Sequence, residues 1–286
     1  MLATKIAYLL WCLRNAGHSN RLACPACGSR NSQVASRKLI VSALRRCNDC
    51  ELLFRTPTTT HEENQSFYQT SYGQGSTTEM PNDEHLSCFL NSRFLGTDLD
   101  RSDSVQLLKA ISPNPTAEIF DYGCSWGYGA WQLREAGFKV TAYEISEPRS
   151  RFATKNLGLQ MSHPSSIKPH SFDVVYSSHV IEHVPSPAKM LLQGLRMLKP
   201  GGVFVALTPN GSRHYRRVSP RSWQSSWGQV HPQLICEDWV RHAAAHRPYY
   251  ISGVPVAISR LAHWTTEQCI DGDLCQPHLF FAIRNN

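Results

Sequence analysis

Nine residues near the middle of the chain, Asp121-Tyr122-Gly123-Cys124-Ser125-Trp126-Gly127-Tyr128-Gly129, follow directly on the short apolar run 117–120. Such a turn leaves few folds open. Glycines at alternate positions let a backbone pass close to a ligand where any side chain would clash. The flanking residues read as a buried strand and, over 128–137, as the helix that follows it. A second apolar run, 139–143, ends in Glu144. An acid about 20 residues past the first glycine, at the tip of the next strand, is placed to accept hydrogen bonds from ribose hydroxyls. Strand, glycine turn, helix, strand and acid make half of a nucleoside-binding α/β fold.

The type of nucleoside follows from charge. A dinucleotide fingerprint reads G-x-G-x-x-G and seats a pyrophosphate on the helix N-terminus. Here the string is D-x-G-x-x-x-G-x-G, with Asp121 at the strand end. An acid there repels a pyrophosphate and suits an ammonium group. S-adenosylmethionine has no phosphate and carries a sulfonium and an ammonium, so it fits better. Three further landmarks follow in order: YEIS at 143–146, SFDVVYSSHVIEHV at 171–184 and LKPGG at 198–202. With these, segment 117–210 resembles the class I S-adenosylmethionine-dependent methyltransferases, in the branch of the ubiquinone-biosynthesis O-methyltransferases.

The resemblance implies a seven-stranded, mostly parallel Rossmann-like sheet with helices on both faces. It implies Asp121 and Gly123 at the methionine end of the cofactor, Cys124 among the cofactor-binding residues, Gly127 at a close backbone approach, Glu144 on the ribose, and Ile145 and Ser178 beside the adenosine. Ser125 departs from the family, which has its middle glycine there. The stretch Gln160-Met161-Ser162-His163 offers no acid after the third strand, which leaves adenine to backbone groups and apolar contacts.

The second informative feature is Cys24-Pro25-Ala26-Cys27 followed by Cys47-Asn48-Asp49-Cys50. Two C-x-x-C knuckles at this separation match a four-thiolate zinc site, a zinc ribbon. Gly28 allows the turn after the first pair, and Glu51 stands at the equivalent place after the second. A module this short has little core of its own, so metal binding would supply its folding energy. Arg21, Arg30, Arg37, Lys38, Arg45 and Arg46 make it basic. Either it is a lid over the substrate pocket or it is a nucleic-acid surface, and the lid is the favoured reading. Residues 52–57 and 67–73 continue a C-x-x-C, apolar, proline and paired-tyrosine run. That run is similar to zinc-ribbon proteins resembling sugar and natural-product methyltransferases.

Methyl transfer needs an acceptor aligned with the methyl group and, where required, a group to take its proton. The candidates lie in His179-Val180-Ile181-Glu182-His183, with His183 as the expected base and His231 as the alternative. In the ubiquinone O-methyltransferases a similar E-x-x-E-H run carries a divalent metal. The resemblance therefore implies such a metal at His179, Glu182 and His183, with His179 replacing the first glutamate. A purely structural role for Glu182 and His183 around the turn stays open. Arg213, Arg216, Arg217 and Arg221 fall in a polar insertion, 211–231, where they either clamp an anionic substrate or face solvent.

Length and composition set the remaining bounds. At 286 residues and 41% hydrophobic, the chain can bury one large core plus a small module. No apolar run approaches the roughly 18–20 residues of a membrane span. Residues 6–13 are apolar without a cleavage site behind them, so they read as an amphipathic helix packed on the body. The remaining cysteines show no framework spacing, which suits a reducing cytoplasm. The expected organisation is an N-terminal helix and zinc ribbon (1–57), a linker with covering helices (58–114), whose first part, 58–83, reads as a polar linker, a loop broken by a short turn, and a methyltransferase domain (115–286). Within it, Ser186-Pro187 reads as the start of a helix running to Leu198, a helix is expected over 233–246, and 280–283 reads as the last strand, antiparallel at the sheet edge. The expected function is methyl transfer to a small molecule, a sugar or a biosynthetic intermediate. Its rivals are an RNA methyltransferase anchored by the ribbon, against which a net charge of +7 is modest, and a non-catalytic binding scaffold. Oligomeric state is not legible from sequence.

Overall fold

The computed structural model describes residues 2–38, 40–70 and 79–285. After the helix Leu2–Asn15, three strands, β1 (Ser32–Lys38), β2 (Ser42–Cys47) and β3 (Leu53–Thr56), pair antiparallel as a ribbon. The main sheet begins with β4 (Glu118–Tyr122), β5 (Lys139–Tyr143), β6 (Gln160–Met161), β7 (Phe172–Ser178) and β8 (Leu198–Pro209). The short strand β9 (Gln233–Leu234) leaves it, and β10 (Tyr249–Gly253), β11 (Ile270–Asp271) and β12 (His278–Arg284) complete it. The order is β11-β10-β12-β8-β7-β4-β5-β6. Only β12 runs against its neighbours; the other described pairings in this sheet are parallel. This is the expected α/β sheet with a two-residue eighth strand, β11, added at one edge.

Alternation along the strands divides the interior between two faces. Val175, Phe204, Ala206 and Phe281 point to one core, which the helices Pro187–Met197 and Glu237–Ala244 cover. Val174, Tyr176, Val203, Val205 and Phe280 point to the other, under Ser102–Ile111. Ser186 starts Pro187–Met197 by accepting the Lys189 N–H, with Pro187 in its first turn. The ribbon is no separate bead. Leu44, Leu52 and Phe54 share one buried cluster with Leu234, Trp239 and Phe281, and β9 pairs antiparallel with β3 as the ribbon's fourth strand. The N-terminal helix packs on the body as expected: Cys12 is buried, Tyr8 meets Ser42, and the Trp11 indole donates to Glu63. Among the described residues no helix is long and apolar enough to cross a membrane.

Three expectations need correction. The strand at 280–283 is not at the edge. The aromatic run Tyr249-Tyr250-Ile251 forms β10 outside it, with Tyr250 opposite Ala282. The helix expected over 233–246 starts only at Glu237, because Gln233 and Leu234 are drawn into pairing with Phe54 and Leu53. The stretch read as a polar linker contains the helix His61–Thr70. Thr60 and Glu63 form a reciprocal capping box at its start: Glu63 N–H donates to Thr60 Oγ1 and Thr60 N–H to Glu63 Oε2. Residues 71–73 of the paired-tyrosine run lie outside the described residues.

Helix Pro187–Met197 approaches the sheet closely at Gly194, where a Cβ would sit 2.5 Å from Phe204 Cδ2 and 3.3 Å from Val175 Cγ1. Alanine ordinarily gains about 1 kcal/mol over glycine within a helix. Here overpacking against a fully buried ring wins. Gly194→Ala is expected to lose about 1–3 kcal/mol in urea denaturation, the reverse of the helix-propensity sign.

Candidate functional site

The glycine turn after β4 is held by two left-handed glycines with different duties. At Gly123 (φ +91) a Cβ would fall 2.4 Å from Val180 Cγ2, so the turn lies directly on the chain leaving β7. At Gly127 (φ +96) a Cβ would meet Leu159 Cδ1 at 2.6 Å and Ala153 Cβ at 3.0 Å. Packing of the helix Glu147–Leu157 by itself therefore demands that glycine. Ser125 adopts φ +55 without being glycine, a strain of about 1 kcal/mol. Its hydroxyl accepts a hydrogen bond from Arg149 Nη1 at 2.9 Å.

A cleft opens at the carboxyl ends of β4 and β7, where helices cross from one face of the sheet to the other and open α/β sheets bind their ligands. Of the residues expected at the cofactor, Asp121, Gly123, Cys124 and Ser178 line it. Gly127, Glu144 and Ile145 do not. Glu144 instead holds the turn from below, accepting Ser125 N–H at 2.9 Å and Ser146 N–H at 2.8 Å. Ile145 carries the amide of Gln69 on its carbonyl, at 2.8 Å. Sequence reasoning missed Arg101, Ser104, Tyr128 and Tyr176, which also line the cleft. Arg101 lies over the Tyr128 ring at 4.9 Å and donates to its hydroxyl at 3.1 Å. No short motif surrounds Arg101, so only the tertiary fold reveals it.

Charge in this region is unbalanced. Burial, then repulsion from Glu144, raises Asp121 to about 7 against the opposing pull of Arg101. Glu144 is also raised by burial, with the Ser146 and Ser125 N–H groups and Arg149 resisting.

Past Ser178 the chain turns through His179, another left-handed non-glycine residue (φ +55). Glu182 is fully buried. Its Oε2 accepts from Thr208 Oγ1 at 3.1 Å, whereas Oε1 has no hydrogen-bond partner. His179 Nδ1 lies 3.3 Å and His183 Nε2 3.8 Å from Oε1. The His183 and His231 rings are 4.7 Å apart, so the two histidines singled out as expected and alternative base share one site. Each donates Nδ1–H to a backbone carbonyl, His183 to Val230 at 2.7 Å and His231 to Ser226 at 2.9 Å. In the neutral ring that leaves Nε2 with its lone pair. Burial pushes Glu182 up, but His179, His183 and His231 outweigh it and hold the carboxyl at about 2. Burial lowers His183 further than Glu182 raises it. One donor atom from each of Glu182, His183 and His231 lies within 4.8 Å of the other two. His179, expected in a metal set with Glu182 and His183, falls outside this trio, and His231 takes its place.

The four ribbon cysteines converge, with Cys24 Sγ and Cys50 Sγ 3.5 Å apart and Cys27 Sγ and Cys47 Sγ also 3.5 Å apart. Tetrahedral zinc with sulfurs at about 2.3 Å spaces them by roughly 3.8 Å, so the set fits the ion. The knuckles repeat each other: Gly28 N–H donates to Cys24 O and Glu51 N–H to Cys47 O, with φ of +78 and +68. Glu51 takes the glycine conformation with its carboxylate paired to Arg46. In the insertion, Arg216 donates to Ala35 O and lies 4.5 Å over Trp223, and Arg213 is 3.6 Å from Asp238.

The methyltransferase-domain family matches residues 99–250, just over half of the chain. The chain belongs to that family. The ubiquinone biosynthesis O-methyltransferase of Xylella fastidiosa is 25% identical over 155 residues, 47% of this chain and 63% of that one. Its counterpart in Caulobacter vibrioides is 31% identical over 111 residues, 35% and 44% of the two chains. This methyltransferase-family chain thus spans less than two thirds of the length of the curated relatives it matches. The crystal structure of the plantazolicin methyltransferase BpumL, with a monoazolic desmethylPZN analog and SAH, covers 78% of this chain and 95% of its own at 15% identity and a TM-score of 0.50. It supports the fold.

Asp121 is raised in the folded family member above its ordinary value, so its ionisation opposes folding. That cost is absent at low pH and grows as pH rises from 3.8 to about 7. Asp121→Asn is therefore expected to match the parent near pH 4 and to exceed it above pH 7 by about 2–4 kcal/mol. Urea denaturation of the ligand-free protein across that range checks it.

Proposed function

We propose that this chain moves the methyl group of S-adenosylmethionine to a small-molecule acceptor, with His183 taking the acceptor's proton. One observation carries the reading: the Glu182–His183–His231 site begins just past Ser178, which itself lines the cleft of the glycine turn. In the reaction the acceptor's lone pair forms the new bond to the methyl carbon. The carbon–sulfur bond breaks towards sulfur, and the acceptor's proton passes to His183 Nε2. His231 is the alternative base. Asp121 suits the cofactor's ammonium and Arg101 its carboxylate, while Glu144, beyond the Ser125 and Ser146 N–H groups it already accepts, would offer a remaining lone pair to the ribose beside Ile145 and Ser178. Relatives named for O-methyl transfer and a fold neighbour solved with SAH support the cofactor and the class of reaction.

A second role for the trio rests on its own observation. Glu182 Oε1 is buried without a hydrogen-bond partner and faces the imidazoles of His183 and His231. The same three residues would hold a divalent cation, which would supply Lewis acidity to an acceptor oxygen. In the ribbon, Cys24, Cys27, Cys47 and Cys50 would hold a structural zinc. Four of the ribbon's six cations are engaged within the protein: Arg21 with Glu63, Arg45 with Ser32, Arg46 with Asp238 and Lys38 with Trp227. That favours a lid over an RNA anchor. Ten cysteines without a disulfide suit a reducing cytoplasm.

The test is transfer of labelled methyl from S-adenosylmethionine into fractionated cell extract. Label is expected in the small-molecule fraction and not with Asp121→Ala. His183→Ala should keep cofactor affinity and lose about 10²–10⁴ in turnover; full turnover in that variant would remove His183 from the reaction. Label confined to RNA would overturn the small-molecule reading. Elemental analysis should find zinc bound, and Cys24→Ser with Cys50→Ser should lose it together with the ribbon's protection from proteolysis.

A further inference from the structure

His231 reaches His183 from a segment that the ribbon grips at both ends. On one side, the Lys38 ammonium donates to the Trp227 carbonyl and stands 4.6 Å over the indole. Next to it, Ser36 Oγ donates to Gln224 Oε1 at 2.5 Å, and Gln224 Nε2 donates to Arg37 O at 3.0 Å. On the other side, Arg55 N–H donates to Pro232 O at 2.7 Å, and Phe54 and Leu53 pair with Gln233 and Leu234. Between the two anchors lie only residues 228–231. Both of their polar contacts to the site are made there: Val230 O receives His183 Nδ1–H, and His231 presents its ring to His183. Two further bonds fix the opposite wall. Gln233 N–H donates to Glu182 O at 3.3 Å, and Asn64 Nδ2 donates to His183 O at 2.8 Å.

We infer that the ribbon is a positioning element of the Glu182–His183–His231 site, with strand β3 and Lys38 suspending the 227–233 segment so that His231 and Val230 O meet His183. A lid needs only to cover. This arrangement instead sets which nitrogen of each imidazole carries the proton: His183 Nδ1–H is held by Val230 O, between the two anchors, and His231 Nδ1–H by Ser226 O, between the anchored Gln224 and Trp227. Lys38 acts through Trp227 and touches neither the histidines nor the cofactor cleft. It is a positioning residue. The inference rests on the trio being the reaction site only for its effect on turnover, not for its effect on the imidazoles.

The test uses the whole chain labelled with ¹⁵N-histidine. Long-range proton–nitrogen correlation is expected to show His183 and His231 as single tautomers with the proton on Nδ1. Lys38→Met keeps the apolar stem and removes the cation. It should convert His231, and with it His183, to tautomer mixtures while leaving S-adenosylhomocysteine affinity within about twofold. Methyl transfer into the acceptor fraction should fall about tenfold or more at unchanged cofactor KM, as expected of a misplaced group. Lys38→Arg, which restores a cation and a donor, should recover the single tautomers. Unchanged histidine signals in Lys38→Met would overturn the inference, as would loss of cofactor affinity in step with them, because that is general loosening. Gln224→Ala, on the same anchor, repeats the measurement should Lys38→Met fold poorly. If His183→Ala retains turnover, the proton-transfer reading fails while the tautomer result still decides the positioning role.

Discussion

Asp121 and Glu144 stand at or just past the ends of two adjacent parallel strands, paired in register through Tyr122 and Tyr143, and both carboxyls are buried. Parallel pairing brings strand tips to one edge, so two acids there repel each other through a low-dielectric interior. The turn meets the needs of one acid only. Glu144 receives the N–H groups of Ser125 and Ser146 and the field of Arg149. Asp121 has Arg101 against its burial and against Glu144. A cationic group arriving at Asp121 would therefore relieve more repulsion than one arriving anywhere else along this edge. The glycine conformation at 123, the serine forced to φ +55 and the Arg149 bond to that serine all hold the turn in the shape that keeps this imbalance.

The ribbon solves a different physical problem. A few short strands around four thiolates cannot bury enough apolar surface to fold by themselves. Here they do not have to. Leu44, Leu52 and Phe54 lie in the same buried cluster as Leu234 and Trp239, and β3 gains a partner strand from beyond the insertion. The ion pair from Arg46 to Asp238 adds a polar rim to that contact, one residue from Cys47. Sharing a core makes the ribbon's position rigid relative to the sheet, which an independent module on a flexible linker would lack.

Features carried by local chemistry were legible in the chain. The knuckle spacing, the glycine turn, Asp121, the Ser186-Pro187 helix start and the pentad after β7 each follow from short-range rules, and they lie where those rules put them. Features decided by partners distant in sequence were not. Gln233 and Leu234 read as a helix start after His231-Pro232, yet they pair with residues some 180 positions earlier. Arg101 precedes the glycine turn by 20 residues and has no motif around it, yet it lines the cleft. β10 carries aromatic and β-branched residues that could have marked it as a strand. The capping box Thr60 to Glu63 was also present in the sequence, hidden by a polar composition that suggested a linker. Gly127 was expected at a close backbone approach; that Leu159 and Ala153 occupy the space its Cβ would need was not legible.

The trio repeats at its own scale the imbalance seen at Asp121. An ionised Glu182 in a buried site carries one oxygen with no hydrogen bond, an arrangement that costs about 1–3 kcal/mol where nothing compensates it. His179 Nδ1 comes to 3.3 Å from that oxygen, and the imidazoles of His183 and His231 could also have turned a donor towards it. Instead His183 and His231 direct their Nδ1–H groups at Val230 O and Ser226 O, and burial keeps His183 in the neutral form. A donor atom from each of Glu182, His183 and His231 is thus gathered in one small space, with both Nδ1–H groups turned to backbone carbonyls. Such a cluster repels electron-rich groups and attracts a guest that brings positive charge or a transferable proton. A metal cation and an acceptor hydroxyl both meet that description; an anionic group does not. Mutual repulsion of this kind persists only where the surroundings hold it, and here the hold comes from the ribbon's grip on 227–233 and from Asn64 on the His183 carbonyl.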